Sequence, residues 1–431
     1  MPADTAGEGT GGVTVKEVRI DDLREPRRSP AQQSVYDWGL TLDVSLDLDD
    51  VVADAQARTG LDRIDDVTVY DRLGAQLDAV EADDGLMGMG RLLVRRRLVG
   101  CLAARLRFDD FVRRYPEALE VELEPPVIVV GLPRSGTTHL VNLLAADDRF
   151  RSMPWWEVQE PIPVMGDGPG RDGVDPRYLR AKVTHELTDA ADPLVKLMHD
   201  RPPESIEEDC ELLDLDFCAY TLEWHARVPQ WRDHYLALDQ RRHYQFLEQE
   251  LRVLSFLRGP RRWVLKTPQH LEQLGPLMDT FPDATVAFTL RDPVAVLQSA
   301  LTMLAYGDRN RREEIDADGL AEYWVDRIKR LLRASVRDAH LIPGAQRVDV
   351  EFGEFMRDDL AMASHVIETA GVDVTPEARQ NLASYVAGNP RGKDGRVVYD
   401  LQGDFGLDPA ELYDRYGFYF DAFAQVRREV T

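Results

Sequence analysis

The stretch "GLPRSGTT", residues 131–138, has the glycine spacing of a nucleotide phosphate-binding loop but lacks the lysine of that loop. Such loops follow the pattern G-x-x-x-x-G-K-[ST], and their lysine reaches the phosphates. Here Thr137 stands at the lysine position, and the positive charge lies inside the loop, on Arg134. A guanidinium binds several oxygens of a phosphate or sulfate at once through its planar fork. We therefore expect an oxyanion to contact Arg134 and the N–H and hydroxyl donors of Ser135, Gly136, Thr137 and Thr138.

The residues on either side of this loop predict the elements that position it. "VIVV" before the loop is a short β-branched run typical of a buried parallel strand, and "TTHLVNLLAAD" after it has a helical pattern. Two later apolar runs, "RWVLKTP" from Arg262 and "ATVAFTLRDP" from Ala284, are also followed by helical patterns. This alternation predicts an α/β fold with a P-loop-like, mostly parallel sheet flanked by helices.

The texture of the remaining chain predicts its domain organisation. Residues 1–34 are expected to form a disordered or irregular arm, and residues 35–120 an N-terminal helical region. Residues 121–431 are expected to form the α/β domain. Within it, residues 161–258 have a helical pattern rich in charge and predict a cap over the carboxyl ends of the strands, where ligands bind in such sheets.

Composition excludes several classes of partner. The 431 residues include 52 basic and 77 acidic side chains, and a net charge of −25 disfavours nucleic acids and anionic membranes. No apolar run is long enough to predict a membrane span. Three cysteines without paired spacing, and a start without a signal-peptide pattern, predict a cytoplasmic protein. We also find no residue spacing typical of zinc ligands and expect no metal.

The loop resembles the 5′-phosphosulfate-binding loop of sulfotransferases that use 3′-phosphoadenosine-5′-phosphosulfate (PAPS). The arginine makes it similar to the branch that includes tyrosylprotein sulfotransferases and many bacterial enzymes, whereas the common cytosolic enzymes have lysine there. The resemblance extends from about Pro125 to the C-terminus. It implies PAPS as co-substrate, no metal, and a role for Arg134 in bridging the 5′-phosphate and the sulfonate.

The same resemblance implies a second site, for the 3′-phosphate of the nucleotide. Its usual residues are an arginine after a strand and a serine eight positions later, which match Arg291 and Ser299 in "TLRDPVAVLQSAL". A late basic loop that closes over the nucleotide is matched by Arg391, Gly392 and Lys393. The cytosolic enzymes have the order Arg-Lys-Gly, so the cation that meets the phosphate is left open here.

Several residues are candidates for the chemistry itself. Lys266, at the end of a predicted strand, matches the catalytic lysine of the family in chain order. The base is expected to be Glu157, which lies 23 residues after Arg134 in "PWWEVQE", with His270 as the second choice. A third set lies in "KLMHDRPPESIEEDCELL" and comprises His199, Glu207, Glu208 and Asp209.

These residues together predict an enzyme that transfers a sulfonate from PAPS to a hydroxyl or amine of a small-molecule acceptor. Tryptophans in and near the predicted cap favour an apolar or aromatic acceptor: Trp155, Trp156, Trp224 and Trp231. Two alternatives remain at this point. One is a nucleotide kinase or NTPase with a degenerate loop, and the other is a non-catalytic nucleotide-binding protein on the same fold.

Overall fold

The structure is a computed structural model that describes residues 16–164, 173–390, 392–393 and 395–430. The strands in these residues are β1 Glu17–Arg19, β2 Val127–Val130, β3 Phe150–Arg151, β4 Arg262–Lys266, β5 Thr285–Leu290, β6 Arg347–Glu351 and β7 Arg396–Val398. The helices of the first half are α1 Pro30–Leu40, α2 Leu48–Thr59, α3 Thr68–Glu81, α4 Gly88–Arg114, α5 Thr137–Leu144, α6 Trp155–Gln159, α7 Pro176–Ala191, α8 Lys196–His199, α9 Cys210–Leu213, α10 Pro229–Ala237 and α11 Arg241–Arg258. Those of the second half are α12 Leu274–Thr280, α13 Pro293–Asp308, α14 Ala317–Asp338, α15 Phe352–Arg357, α16 Asp359–Thr369, α17 Pro376–Gly388, α18 Leu401–Phe405, α19 Pro409–Arg415 and α20 Gly417–Ala422.

The central sheet has the order β3-β4-β2-β5-β6, and every pairing in it is parallel. Its middle strands are apolar and buried on both faces, as helices on both sides of a parallel sheet require. The predicted α/β fold is confirmed, and so are the three strands expected from the apolar runs. Strand β6 was not predicted from the sequence, because charged residues alternate with its buried Val348 and Val350.

The N-terminal helices are part of the same core as the sheet. One cluster of buried apolar side chains extends from Ile20, through α2, α3 and α4, to strands β2 and β5 and on to Val426. Helix α4 is the long helix expected before Pro116, and it packs against α1 and α2. Residues 35–120 are therefore helical, but they do not form a separate folding unit with its own core.

The arm expected at residues 1–34 differs in part from the structure. Residues 1–15 lie outside the described residues. Beyond them, β1 pairs in parallel with β7, and α1 begins at Pro30 behind a capping box formed by Ser29 and Gln32. A three-residue strand is too short to show a hydrophobic periodicity. It depends on a partner almost 380 residues away, so the local sequence does not predict it.

The segment predicted as a cap, residues 161–258, contains α7–α11 in its described part. Residues 165–172 lie outside the described residues. Helix α11 packs against α9 and α12, so this segment lies against the sheet domain. No helix of the described residues is both long and apolar enough to cross a membrane.

Candidate active site

The loop between β2 and α5 is shaped by two glycines and by one arginine in an unusual conformation. A Cβ on Gly131 would lie 1.7 Å from Oγ1 of Thr289 in the neighbouring strand β5, so only glycine fits there. Arg134 has φ 65° and Gly136 has φ 85°, both in the left-handed region. The Ser135 hydroxyl donates to the Leu132 carbonyl at 2.6 Å and contacts Thr289 Oγ1 at 2.7 Å. Because Ser135 is buried, its side chain stabilises the loop rather than lining a cavity.

Two cavities meet at this loop. The larger cavity has a volume of about 660 Å³ and the smaller cavity about 230 Å³. Both are lined by Arg134, Thr137 and Thr138. The first turn of α5, with its unpaired backbone N–H groups, therefore lies where the two cavities join, as at an anion-binding helix N-terminus.

Arg134 is a half-buried cation whose described partners are neutral oxygens. Its Nε donates to Ser299 Oγ at 3.0 Å, and its Nη1 donates to the Met198 carbonyl. Ser299 Oγ in turn lies 2.9 Å from the Tyr399 hydroxyl. Burial lowers the pKa of the Arg134 guanidinium below its ordinary value. An anion bound in either cavity would compensate this desolvation.

Arg291 stands at the corner where β5 ends and α13 begins. The Asp292 side chain accepts from the Val294 N–H at 2.8 Å and caps the helix, which turns Arg291 toward the loop. Arg291 Nη1 donates to the Arg134 carbonyl at 2.5 Å, and its guanidinium lies 3.7 Å from the centre of the Phe352 ring. Arg291 lines the larger cavity, so the structure brings Arg134, Arg291 and Ser299 together.

The late basic loop also reaches the larger cavity, through Gly392 and Lys393. Arg391, the first residue of that predicted motif, lies outside the described residues. Strand β7 follows the loop and pairs with β1, with Arg396 N–H donating to the Lys16 carbonyl at 2.9 Å. Strand β1 therefore holds the strand that directly follows this loop. The lining of the larger cavity also includes the carboxylates of Asp200 and Glu204.

Lys266, the last residue of β4, lies near the same junction of the two cavities. Its ammonium donates to the Glu208 carboxylate and to Thr138 Oγ1, the latter at 3.4 Å. Its backbone N–H donates to Asp209 Oδ1 at 2.8 Å, which couples the end of β4 to the start of α9. Since Thr138 lines both cavities, the Lys266–Glu208 pair lies at their junction.

Glu157 and His270, the two leading base candidates from sequence, are not among the described residues that line either cavity. Glu157 is 1% exposed and forms ion pairs with Arg151 at 3.1 Å and Arg258 at 3.0 Å. His270 is fully buried, with Nδ1 2.9 Å from the Tyr244 hydroxyl and Nε2 3.0 Å from Asp209 Oδ2. Both side chains form contacts with elements that are distant in the sequence. Spacing along the sequence does not reveal such contacts.

Three of the four residues in the third set from sequence are among the ionisable groups of the smaller cavity. His199, Glu207 and Glu208 line it. Burial, followed by the positive charges of Arg201, Lys266 and Arg134, lowers the pKa of His199 well below its ordinary value, so the imidazole is neutral near pH 7. Glu207 pairs with Arg201 at 2.8 Å, whereas the Glu208 carboxylate faces Lys266.

Two features of this region lay outside the sequence-based expectations. Tyr399 supports Ser299 and Arg134, although nothing in "RVVYDL" distinguishes it from a core aromatic residue. The side chains of His185, Asp189 and Asp200 place potential metal-binding atoms within 4.8 Å of one another. His185 and Asp189 are partly exposed on α7, and the exposed Asp200 borders the larger cavity.

The tryptophans have more varied roles than predicted. Among the four that favoured an aromatic acceptor, Trp224 lines the smaller cavity. Trp231 is fully buried, and its indole donates to the Ala219 carbonyl at 3.2 Å. Trp155 is buried in the core, and Trp156 stacks against Arg177 and Arg258.

Comparisons with known proteins agree with this architecture. In sequence, the chain is 24% identical over 323 residues to omega-hydroxy-beta-dihydromenaquinone-9 sulfotransferase Stf3 of Mycobacterium bovis, a match covering 72% of this chain and 78% of the relative. The crystal structure of sulfotransferase STF1 from Mycobacterium tuberculosis H37Rv has a TM-score of 0.76 at 27% identity and covers 86% of this chain and 98% of STF1. That of sulfotransferase STF9 from Mycobacterium avium has a TM-score of 0.79 at 24% identity and covers 90% of this chain and all of STF9.

Residues 125–376, more than half of the chain, match the sulfotransferase family. This span begins just before β2 and includes the loop of Arg134, the end of β4 at Lys266 and the corner at Arg291. The chain therefore belongs to the sulfotransferase family.

Proposed function

We propose that this protein is a PAPS-dependent sulfotransferase that transfers the sulfonate to a hydroxyl or amine of a small acceptor and releases adenosine 3′,5′-bisphosphate. One observation carries the proposal. Arg134, Thr137 and Thr138 form a wall common to both cavities, so a donor on one side and an acceptor on the other would meet at a cation and a helix N-terminus.

The larger cavity suits the nucleotide donor. Arg134 is half-buried against neutral oxygens, and the first-turn N–H groups of α5 lie beside it, which fits a 5′-phosphosulfate. Arg291 and Ser299 are assigned to the 3′-phosphate, and Gly392 and Lys393 to the closing loop. PAPS supplies the activated sulfonate, while the side chains supply position, charge and a proton acceptor.

The smaller cavity suits the acceptor. Lys266 is assigned to the negative charge that develops on the leaving phosphate, because its ammonium lies beside Thr138 at the junction. Glu208 is assigned as the base, because its carboxylate faces the same junction. The relative Stf3 is named for an omega-hydroxylated compound, which supports a hydroxyl as the acceptor group.

His199 is the second candidate for the base. It lines the smaller cavity, and its lowered pKa keeps the imidazole neutral and able to accept a proton at neutral pH. Glu208 ranks first because its ion pair with Lys266 couples the proton acceptor to the cation that would assist the leaving group.

A thermal-shift titration with adenosine 3′,5′-bisphosphate in EDTA, with Mg-ATP as the comparison, tests the donor assignment. A ligand at 100 times its Kd stabilises the folded state by about 2.7 kcal/mol, enough to raise Tm measurably. We expect a shift with the bisphosphate and little with ATP. A larger shift with Mg-ATP would favour a kinase or NTPase instead, and binding that requires a divalent cation would point to the His185 group.

The matched variants are Arg134→Ala and Arg337→Ala. Arg134→Ala is expected to abolish the bisphosphate shift and to lower turnover by about 100-fold or more, because this cation is assigned to the reacting group. Arg337 is exposed and pairs with Asp338, so its replacement removes the same charge far from the site. Near-full activity in Arg134→Ala would contradict the site assignment. Bisphosphate binding without any turnover of PAPS would instead favour a non-catalytic nucleotide-binding protein.

A further inference from the structure

Arg311, just beyond the C-terminal end of α13, lines the smaller cavity but not the larger one. Its Nη1 donates to the Trp224 carbonyl at 3.3 Å. Among the described residues, Arg311 forms no ion pair with any carboxylate. The side chain is half-buried, so this guanidinium faces the cavity with much of its hydration removed, and the negative charges of Asp192 and Asp308 act on it from beyond ion-pair distance.

Two other cations around the smaller cavity have acidic partners. Arg201 pairs with Glu207 and Glu211, and Lys266 pairs with Glu208. Arg311 thus differs from these two cations, because it forms no ion pair with a carboxylate of the described residues. Arg134, at the nucleotide end, differs from them in the same way.

The two acids whose charges act on Arg311 form hydrogen bonds with other residues. Asp192 accepts from the Asn310 side chain at 2.8 Å, and Asp308 accepts from Arg312 at 3.1 Å. Burial raises the pKa of the Asp192 carboxyl, and the positive charge of Arg311 partly opposes that rise. The field of Arg311 therefore extends into this end of the cavity, although Asp192 also lines it and would repel a bound anion.

Positions along helix α13 give the separation between the two ends of the smaller cavity. Ser299, which contacts Arg134, and Gly307, which packs against the Arg311 guanidinium, are eight residues apart on α13. At 1.5 Å per residue this separation is about 12 Å. Met303 and Leu304 line the cavity between them. The acceptor cavity is thus an elongated space with an arginine at each end.

Part of the side wall between these ends is apolar and aromatic. Tyr220 and Trp224 line it in an edge-to-face pair, with ring centres 6.3 Å apart and planes at 89°. The cavity volume of about 230 Å³ is below the roughly 300–1,000 Å³ typical of sites for drug-sized ligands. The occupant is therefore a small molecule with an apolar or aromatic body.

We propose that the acceptor carries an anionic group, and that Arg311 binds this group while the hydroxyl at the opposite end faces Lys266 and Glu208. The acceptor class is a small hydroxylated aromatic carboxylate. This inference rests on the proposed function, since it assigns the smaller cavity to the acceptor. Arg311 determines specificity in this scheme and does not touch the reacting atoms.

The test compares 3-(4-hydroxyphenyl)propionate with its methyl ester, which differ only in the charge at the far end. Wild-type kcat/KM with PAPS is expected to favour the acid by about tenfold or more, as a charged hydrogen bond at a partly desolvated site implies. Arg311→Gln should remove this preference, because it lowers kcat/KM much more for the acid than for the ester. Arg311→Lys should retain part of the preference, because it keeps the charge but loses the fork.

Two controls make the comparison specific. Asp192→Asn should increase the preference for the acid, because it removes a negative charge from the same end of the cavity. Arg337→Gln removes an exposed cation far from the cavity and should change neither substrate. The Tm of each variant, with and without adenosine 3′,5′-bisphosphate, reports folding and donor binding independently of the acceptor.

Equal use of acid and ester by the wild type, a preference for the ester, or no turnover of either would overturn the inference. So would an equal loss for both substrates in Arg311→Gln. When the bisphosphate still raises Tm in these cases, the failure concerns the acceptor alone and the proposed function stands. When the bisphosphate does not bind to the wild type, the proposed function and this inference fall together.

Discussion

At the scale of single residues, the site depends on which charges are paired and which are not. Glu157 and His270 are held between partners from distant elements, and a proton transferred to Glu157 would disrupt its buried ion pairs with Arg151 and Arg258. Glu208 shares its carboxylate with Lys266 at the cavity junction. A pair of this kind places the carboxylate beside the group that assists departure of the phosphate.

The role of Glu208 can be tested with two phenols of different acidity. Glu208→Gln is expected to lower kcat by about 100-fold or more for 3-(4-hydroxyphenyl)propionate, because an amide accepts no proton. The loss should be much smaller for 4-nitrophenol, which is largely ionised near neutral pH and needs no base. Initial rates at saturating PAPS measure both values.

The matched controls for this prediction are Glu207→Gln and His199→Gln. Glu207 is adjacent in sequence but pairs with Arg201, so its replacement should affect stability more than the dependence on acceptor acidity. An equal loss for both phenols in Glu208→Gln would indicate a structural role for Glu208. The acidity-dependent loss appearing in His199→Gln instead would assign the base to His199.

At the scale of elements, the loop of Arg134 is formed by the close approach of strands β2 and β5. Gly131 ends β2 directly against Thr289, whose hydroxyl contacts Ser135 inside the loop. This packing turns the chain sharply, so that α5 begins with its N–H groups toward both cavities. The left-handed conformation of Arg134 is part of the same turn.

We expect Gly131→Ala to lower the free energy of unfolding by about 1–3 kcal/mol or more, because the new methyl group would lie 1.7 Å from Thr289 Oγ1. Thr289→Ala in the same chain should recover part of this loss, which a double-mutant cycle on urea unfolding measures. Gly275→Ala in α12 is the control, since the nearest atom to its Cβ would lie at an ordinary 3.8 Å. Additive effects of the two substitutions would contradict the proposed clash.

Helix α11 carries a buried acid without a described hydrogen-bond partner. Glu250 is 1% exposed, and neither carboxylate oxygen has a partner among the described residues. Burial raises the pKa of Glu250 well above its ordinary value, with Arg105 opposing and Asp216 adding to the rise. A raised pKa in the folded state means that the folded protein binds the proton more tightly than the unfolded chain does.

The stability advantage of Glu250→Gln over the wild type is therefore expected to grow as the pH rises above the ordinary glutamate range. The contribution of a carboxyl with a raised pKa is complete below its unfolded pKa and is lost as the pH increases, by up to about 1.4 kcal/mol per pH unit. Urea midpoints at about pH 6 and about pH 8 measure the difference. Glu248→Gln, partly exposed and paired with Arg252 on the same helix, is the control. A constant difference would contradict a protonated Glu250.

At the scale of the whole molecule, both ends of the described chain meet around the larger cavity. Strand β1 holds β7 and the loop of Gly392 and Lys393 before it. Residues 426–430 dock against the start of α13, where the Glu429 N–H donates to Asp292 Oδ2 at 2.6 Å. The Glu429 carboxylate then pairs with Arg291 at 2.8 Å, so it neutralises the cation assigned to the 3′-phosphate.

Glu429→Gln is expected to tighten binding of adenosine 3′,5′-bisphosphate by about two- to fivefold, because a partly exposed ion pair of up to about 1 kcal/mol no longer competes with the phosphate. The backbone contact with Asp292 keeps the segment in place. Calorimetric Kd values, with the exposed Glu411→Gln as control, measure the change. Unchanged or weaker binding in Glu429→Gln would remove Arg291 from the 3′-phosphate site.

The sequence by itself was enough for the features that depend on neighbours along the chain. The loop of Arg134, the runs of β2, β4 and β5, and the α/β fold follow from glycine spacing and from buried β-branched segments, which act within a few residues. The pair Arg291 and Ser299 came from the family resemblance, and its eight-residue separation could be placed locally because Ser299 lies on the helix that begins just after Arg291.

Only the tertiary structure decided which ionisable groups share the cavity junction. Lys266 and Glu208 are 58 residues apart, and Glu157 and Arg258 are 101 apart, so their pairing depends on how β4, α9 and α11 pack. The position of Arg311 beside the Trp224 carbonyl and the contact of Glu429 with Arg291 are likewise products of packing. A side chain's surroundings determine its charge and its role, and those surroundings come mostly from distant parts of the chain.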